Sequence, residues 1–447
     1  MGLNDILNTA RDALAAQTFG LQVTGQNVAN VNTPGYVRRQ AVLETRTMGD
    51  RSFGSVGVQG VRRVADEFTN QRHLSLTGLS SSAGERDQLL SSVESLFNDF
   101  EGTGMSDSLS NLFSSFAALS AQPTDPTVRA TVLENAGAFA QRVRETNAGL
   151  QGQRTEMFER AQGVTDEINL TSDAIADLSG KINAAQAVGH DAADLRDARD
   201  ALLTELAQKV DVRTFYDGNG QLVVHSAGTT LVEGDRARHL SIDLNPGGNI
   251  RVISANGGEV TKFLTGGELA GVIEVRDHDV TQALTDLDNF AFDVASAINT
   301  QHAAGFGLDG STGQNLFSLT GTASGAAASL GVDAAVSADP NRIAASSSAA
   351  TVPGDAGNAL LMARIAEQPV QGVLTPGQVY SRLVGQVGSR KAEAEQTLST
   401  REAMTAQIEQ MRESISGVSL DEEMVNLTKF QRAFEAASRV LTTADEL

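Results

Sequence analysis

Apolar residues recur at three- and four-residue spacing at both ends of this chain. Leu3, Leu7, Ala10, Leu14, Leu21 and Val28 follow the alternation of a coiled-coil seam, with Gln17 and Thr24 as polar members of the same register. This stripe predicts an N-terminal helix that ends where Asn27, Asn30 and Asn32 accumulate, because Asn competes for backbone hydrogen bonds and tolerates left-handed conformations. Thr33-Pro34-Gly35-Tyr36 then places Pro and Gly at the two central positions of a type II turn, and a strand is expected from Tyr36 to Leu43. At the other end Ile408, Met411 and Ile415 form a short run that Ser416-Gly417 interrupts; Leu420, Met424, Leu427, Phe434 and Leu441 resume it, with Phe430 in the same segment. Asp421, Glu422 and Glu423 fall in the first turn of this last helix, where the macrodipole favours negative charge. Periodicity alone fits two readings, an amphipathic pair closing a globular domain and a seam for self-assembly.

Between the ends the pattern changes several times. Residues 46–65 set Val56, Val58, Val61 and Val64 among glycines, which predicts a hairpin or extended connector. Residues 66–209 are helical in pattern, with runs at Leu89, Leu90, Val93, Leu96, Phe97 and Phe100 and at Leu109, Leu112, Phe113 and Phe116, then a long helix over 127–186 after Pro123 and Pro126. From 210 to 263 the period becomes two, and Asp217-Gly218-Asn219-Gly220 is a strong hairpin signal. Helix is expected again over 268–303, short strands and loops over 304–355, and helices over 356–369 and 375–415. The predicted fold is mainly α with a β-rich insert, an elongated multidomain α+β chain with its terminal helices paired as a coiled-coil-like base. Three parts are expected: residues 1–45 with 401–447 as a terminal helical domain, 46–209 with 264–303 and 356–400 as a helical bundle, and 210–263 with 304–355 as a β-rich outer domain. The nested order puts the termini at one end and the β insert at the other.

Composition narrows what such a chain does. At 447 residues it is long enough for several cores. It has no cysteine, hence no disulfide or thiolate chemistry, and its 4% aromatic content without tryptophan suits cores of small side chains that let helices approach closely. The net charge is −21. Residues 1–45 are neutral and residues 401–447 carry five basic against nine acidic groups, so the excess lies in the middle, and its sign disfavours nucleic acid and anionic membrane as partners. Asn4, Asp5, Asn8, Arg11 and Asp12 interrupt the apolar run that a secretory signal peptide needs, and no stretch approaches the length of a membrane span.

No catalytic constellation is apparent. The histidines at 73, 190, 225, 239, 278 and 302 lack metal-ligand spacing, and neither nucleophile-elbow nor phosphate-loop glycine patterns occur. His278 with Asp277 and Asp279 reads as a solvated helix face. Asp194, Asp197 and Asp200 share a helix face that could attract a cation, although an intrahelical network with Arg196 and Arg199 fits better. Gly266-Gly267 before Glu268 reads as a turn into a helix. No enzyme, cofactor or metal is expected; a cell-wall hydrolase would need paired carboxylates and an aromatic platform for sugars, and tyrosine occurs only at 36, 216 and 380.

Ala29-Asn30-Val31-Asn32-Thr33-Pro34-Gly35-Tyr36 after an N-terminal amphipathic helix resembles the signature of the bacterial flagellar axial proteins, the rod, hook and hook-associated family. Asp194 to Leu206, Gly266 to Asp277 with Asn299-Thr300-Gln301-His302, and Ile343 to Ser347 with Gly354 to Asn358 are similar to blocks of the members that join hook to filament. The resemblance covers nearly the whole chain and implies a structural subunit, secreted uncleaved through the flagellar type III apparatus to the extracellular hook-filament junction. It implies as partners copies of itself, the hook subunit, a second junction protein on the filament side and a cytoplasmic export chaperone. The implied assembly interface comprises Leu3, Leu7, Leu14, Leu21, Asn30, Thr33, Pro34, Gly35 and Tyr36 with Leu420, Met424, Leu427, Phe430, Phe434 and Leu441. A hook or distal-rod subunit shares the Pro-Gly-Tyr signature and is the alternative; a peptidoglycan-cleaving flagellar enzyme is the remote one. The chain is short for the resembled proteins, which suggests a reduced outer domain, and many of them continue beyond Ala444-Asp445-Glu446-Leu447.

Overall fold

The computed structural model describes residues 3–33, 35–47, 54–97, 104–189 and 191–446, apart from the side chains of Leu3, Asn4 and Thr47. In chain order its elements are α1 (Leu3–Ala29), β1 (Arg39–Thr47), β2 (Gly54–Arg63), α2 (Glu67–Ser95), α3 (Met105–Ala121), α4 (Pro126–Ala187) and α5 (Ala193–Lys209). Six strands follow, β3 (Arg213–Tyr216), β4 (Leu222–Ser226), β5 (Thr229–Glu233), β6 (Arg236–Ala237), β7 (Ser241–Leu244) and β8 (Ile250–Ile253). The rest is α6 (Glu268–Glu274), α7 (Thr281–Ala304), β9 (Phe317–Ser318), α8 (Ala326–Ser329), β10 (Gly331–Val332), α9 (Ala334–Ala338), α10 (Gly357–Arg364), α11 (Pro376–Ser416) and α12 (Leu420–Asp445). The chain is mainly α with small β sheets, as its patterning predicts. It divides into two compact units, one of Met1–Ser82, Gln162–Ala270 and Ser399–Leu447, the other of Ala83–Ala161 and Gly271–Leu398.

In the first unit β1 and β2 form an antiparallel hairpin from the Arg39 to Arg63 pair outward, with a register shift between Val42 and Leu43. The strand starts later than the expected Tyr36 because the extended Arg38 N–H is already used, donating to Ser416 O at 2.9 Å. The β segment holds a four-stranded sheet of order β3-β4-β5-β6 and a separate β7-β8 hairpin. Ile250 and Val252 of the smaller sheet are buried in alternation, as period-two patterning requires, whereas Leu222, Val223 and Val224 and the adjacent Leu231 and Val232 of the larger sheet are buried consecutively, so both faces of those strands are covered. In α4, Val164, Ile168, Ile175 and Ile182 form the buried stripe of this unit. Gly266-Gly267 is the turn expected. Gly267 has φ +83° and a Cβ there would lie 2.3 Å from Val210 N, while its own N–H donates to Gly78 O at 2.7 Å, so the turn packs backbone against backbone. Residues 210–263 share this unit with both terminal helices, and residues 304–355, with which they are grouped by pattern, fall in the other unit. The reason lies in α2 and α5: Gln71 Nε2 donates to Thr214 O at 2.6 Å and Arg199 Nη2 to the Tyr216 hydroxyl at 2.9 Å, which dock β3 beside them.

The second unit is a helical core. Leu284, Leu287, Phe290, Val294 and Ile298 of α7 are buried as their spacing predicts, and Phe139 of α4 meets Phe290 and Phe317 edge-on with ring centroids 6.1 Å apart in each pair. The expected 268–303 helix is interrupted by one π-helical stretch, Val275–Val280. There the Asp277-His278-Asp279 cluster departs from a solvated face: the His278 side chain is 65% exposed, but Asp279 is buried between Arg86 at 3.3 Å and Arg390 at 3.4 Å. Arg129 is buried near the start of α4, its guanidinium donating to the carbonyls of Pro123, Pro340 and Ile343, and burial lowers its pKa to about 10.

His302, also buried, accepts from Ala344 N–H through Nε2 at 3.1 Å and places Nδ1 2.7 Å from Gln314 O, an arrangement that needs the neutral ring protonated at Nδ1. Burial, ahead of the Gln314 carbonyl and Asp333, holds its pKa below the ordinary 6.5. The folded state therefore binds this proton less readily than the unfolded chain, so stability is complete above pH 6.5 and falls as the pH drops through that value. Thermal melts of the full chain between pH 7.5 and 5 should show this loss, and His302→Gln, which keeps one donor and one acceptor, should reduce it, the remainder coming from His73, whose pKa burial also lowers.

Candidate functional site

The joint after α1 is built on a side-chain amide. Asn27 is buried in the last turn of α1, its Nδ2 donates to Arg39 O at 2.8 Å and its Oδ1 accepts from Arg39 N–H at 3.0 Å. This pair imitates a strand partner and so fixes the start of β1 against α1. Oδ1 also accepts from the Tyr36 hydroxyl at 2.9 Å, and the Arg39 guanidinium lies 4.8 Å from the centre of the Tyr36 ring. Burial raises the Tyr36 pKa, with Arg39 opposing. The four-residue turn is closed by Tyr36 N–H to Thr33 O at 3.2 Å, and Gly35 has the positive φ, +79°, that the sequence demands.

Arg38 and Arg39 point to different acceptors because side chains alternate along extended backbone. Arg38 reaches the first turn of α12, with Nη1 2.6 Å from Glu422 and Nε 2.8 Å from the buried carboxylate of Glu423. Arg39 reaches α5, its Nη2 lying 2.5 Å from Asp194 and 2.9 Å from Asp197. Arg63, its neighbour across the hairpin, contacts Asp197 and Asp200, each at 2.7 Å. The aspartate ladder is thus engaged by the hairpin arginines rather than by the expected Arg196 and Arg199 network, of which only a loose Arg199–Asp200 pair at 4.0 Å forms among the described residues. Its i, i+3 spacing presents one face of α5 to two arginines of the hairpin, while Arg199 turns to Tyr216. Burial raises the Asp197 pKa despite Arg63 and Arg39; Arg39 is itself raised, burial opposing and its hydrogen bonds to Asp194 and Asp197 prevailing.

α1 meets α12 at Gly20, one residue before Leu21 of the predicted seam, of which Ala10 and Thr24 are themselves buried. Ala16, Gly20, Val23 and Asn27 are buried, and a Cβ on Gly20 would lie 2.6 Å from Phe430 Cε1, so the ring sits in the notch that glycine leaves. Leu7, Leu14 and Leu21 are half-buried, as are Leu427, Phe430 and Leu441. Leu420, Met424 and Phe434 are exposed by 48%, 55% and 38%, and Val425 and Val440 with them. Asn30 is half-buried and bonds only locally, to Gln26 O and Thr33; Thr33 and Gly35 are exposed. The Leu3 side chain and Pro34 lie outside the described residues. Of the expected interface set, the structure therefore joins Phe430 to α1, while Tyr36 is absorbed into the joint. Arg38, Arg39 and Arg63 are not singled out by sequence pattern, and Glu423 is marked only as a first-turn acid of α12, although the Arg38-Arg39 doublet at a turn exit is a visible signal.

Three family models match the chain. Residues 7–36 match flagella basal body rod protein, and residues 409–447 match the C-terminal part of flagellar basal body rod FlgEFG protein. Residues 90–317, half of the chain, match the helical domain of flagellar hook-associated protein FlgK. The chain belongs to the FlgK family of flagellar hook-associated proteins. Similar relatives are flagellar hook-associated protein 1 of Bacillus subtilis, 28% identical over 99% of this chain and 96% of that one, and of Escherichia coli, 25% identical over 100% and 98%. A solved flagellar hook junction protein FlgK from Burkholderia pseudomallei has the same fold, with a TM-score of 0.68 and 16% identity over 78% of this chain and all of that one. The rod-protein matches bracket both helices of the terminal pair and end at Tyr36 in the joint.

Removing the amide at the joint should cost more than its small size suggests. Asn27→Ala leaves the Arg39 N–H and carbonyl and the Tyr36 hydroxyl without their partner, about 2–4 kcal/mol in all. The Arg39 amide is then expected to exchange about 30- to 1000-fold faster. Asn30→Ala, which breaks only local bonds, should shift exchange less than about fivefold.

Proposed function

We propose that this chain is a structural subunit joining hook to filament, which stacks on its neighbours through the α1 and α12 pair and performs no catalysis. The observation that carries the reading is the unfinished terminal pair. Two long helices from opposite ends of the chain are locked to each other and to α5 by buried polar contacts, yet leave Leu420, Met424, Val425, Phe434 and Val440 exposed. A surface of this kind suits burial by further copies. The relatives' names support hook association, and the helical-domain match across 90–317 favours the junction over a hook or distal-rod subunit. Its place is then the extracellular flagellum, reached by type III export, with the hook subunit below and a second junction protein above. Before export a cytoplasmic chaperone covers the α12 face.

Two variants test separate parts of this reading. Among the described residues beyond its chain neighbours, no atom lies within 4 Å of a Cβ built at Gly35, so Gly35→Val acts through φ, costing about 1–3 kcal/mol at the turn. The expected phenotype is a cell that builds hooks, releases filament subunits into the medium and grows no filament, while the purified variant melts nearly as before. Normal motility would remove the joint from the assembly mechanism. Joint substitution of Leu427 and Phe434 with Asp should abolish chaperone capture and assembly together, and unchanged capture in a pull-down would put the chaperone site elsewhere.

A further inference from the structure

A cavity of about 170 Å³ in the first unit lies among the start of α2, the end of β2, α5, β3 and α11. Arg63, Arg199 and Arg412 line it together with His73, and the carboxylates on its wall are Glu67 and Asp200. In a chain of net charge −21 this is a concentration of cations in one enclosed place. Arg199 is the telling member. It is only 4% exposed, yet among the described residues its one hydrogen bond is the donation from Nη2 to the Tyr216 hydroxyl, its Nε has no partner and its ion pair to the Asp200 carboxylate is loose at 4.0 Å. Arg63 is committed to Asp197 and Asp200, but its Nε too is without a partner. Arg412 is half-buried and makes no hydrogen bond or ion pair among the described residues.

A guanidinium removed from water with most of its donors idle is costly, because one hydrogen bond and one loose ion pair return only part of the desolvation. The cavity beside Arg199 has room for the group that would return it, and the donors facing that space suit an acceptor with several oxygens. We propose that this cavity binds a small multivalent oxyanion, of the size of phosphate or a tricarboxylate, held by Arg199 and Arg412. Arg63 and Tyr216 then form its walls, and the joint network through Asp200 adjoins it. The site stands apart from the assembly reading, since it needs only a folded monomer.

Calorimetric titration of the full-length monomer with inorganic phosphate and with citrate, at neutral pH and fixed ionic strength set with chloride, tests the assignment. One of the two probes should bind saturably at a single site with Kd below about 1 mM. Arg412→Gln, on the half-buried side, should weaken that binding at least about tenfold, and Arg199→Gln should abolish it. If Arg199→Gln fails to fold, the Arg412 variant alone decides. Heats that remain linear to about 20 mM for both probes would overturn the proposal. So would an unchanged Kd in the folded variants.

Discussion

The organisation of the first unit depends on where two consecutive arginines can reach. Arg38 and Arg39 leave the turn on extended backbone, so one faces the first turn of α12 and the other the aspartate ladder of α5. Three segments far apart in sequence meet at that dipeptide. Each contact is a charge-assisted bond to a carboxylate, and Glu423 and Arg39 are buried, so neither charge can be left alone without a penalty of several kcal/mol. Asn27 adds the backbone constraint, clamping Arg39 at both its N–H and its carbonyl. The direction in which β1 departs from α1 is therefore set by side chains rather than by the turn alone.

The terminal pair shows how one helix can serve two partners. A heptad stripe and its neighbour differ by one residue, about 100° around the helix. On α1 Gly20 takes the Phe430 ring of α12, with Ala16 and Val23 buried nearby, and the leucines at 7, 14 and 21 are left half-buried on the adjacent stripe. Close approach favours small side chains, because it brings dispersion contacts along the whole seam. The larger apolar groups then remain at its flank. On the proposed reading that flank is where neighbouring copies add their own helices.

Much of this was legible from local pattern. The helix breaks at Pro123 to Pro126 and at Ser416-Gly417, the hairpin at Asp217 to Gly220 and the positive φ at Gly35 each follow from residues within one turn of the feature. What stayed hidden depends on partners distant in the chain. The stripe that α12 covers could not be told from its neighbour, because Gly20 contributes nothing to a hydrophobic pattern until Phe430 is placed over it. The partners of Asp194, Asp197 and Asp200 lie in a hairpin more than a hundred residues earlier, and helix-local reasoning considers only Arg196 and Arg199. The π-helical stretch at Val275–Val280 likewise contains Asp279, whose two arginine partners come from other helices and left no local signal.

Register is the remaining problem for two helices joined end to end by the whole chain, because a stripe of small residues would accept several offsets. Phe430 resolves it sterically. A slip by one helical turn, about 5.4 Å, would set the ring against Ala16 or Thr24, where a Cβ occupies the space that Gly20 leaves open. The Arg38 contact to Glu423 holds the same offset electrostatically, seven residues or two turns from Phe430 on α12. Two independent constraints at that spacing fix both translation and rotation of α12, so the exposed Met424, Val425 and Phe434 present one defined surface. A repeating assembly requires this of its subunit, since every copy must offer the same face before any neighbour arrives.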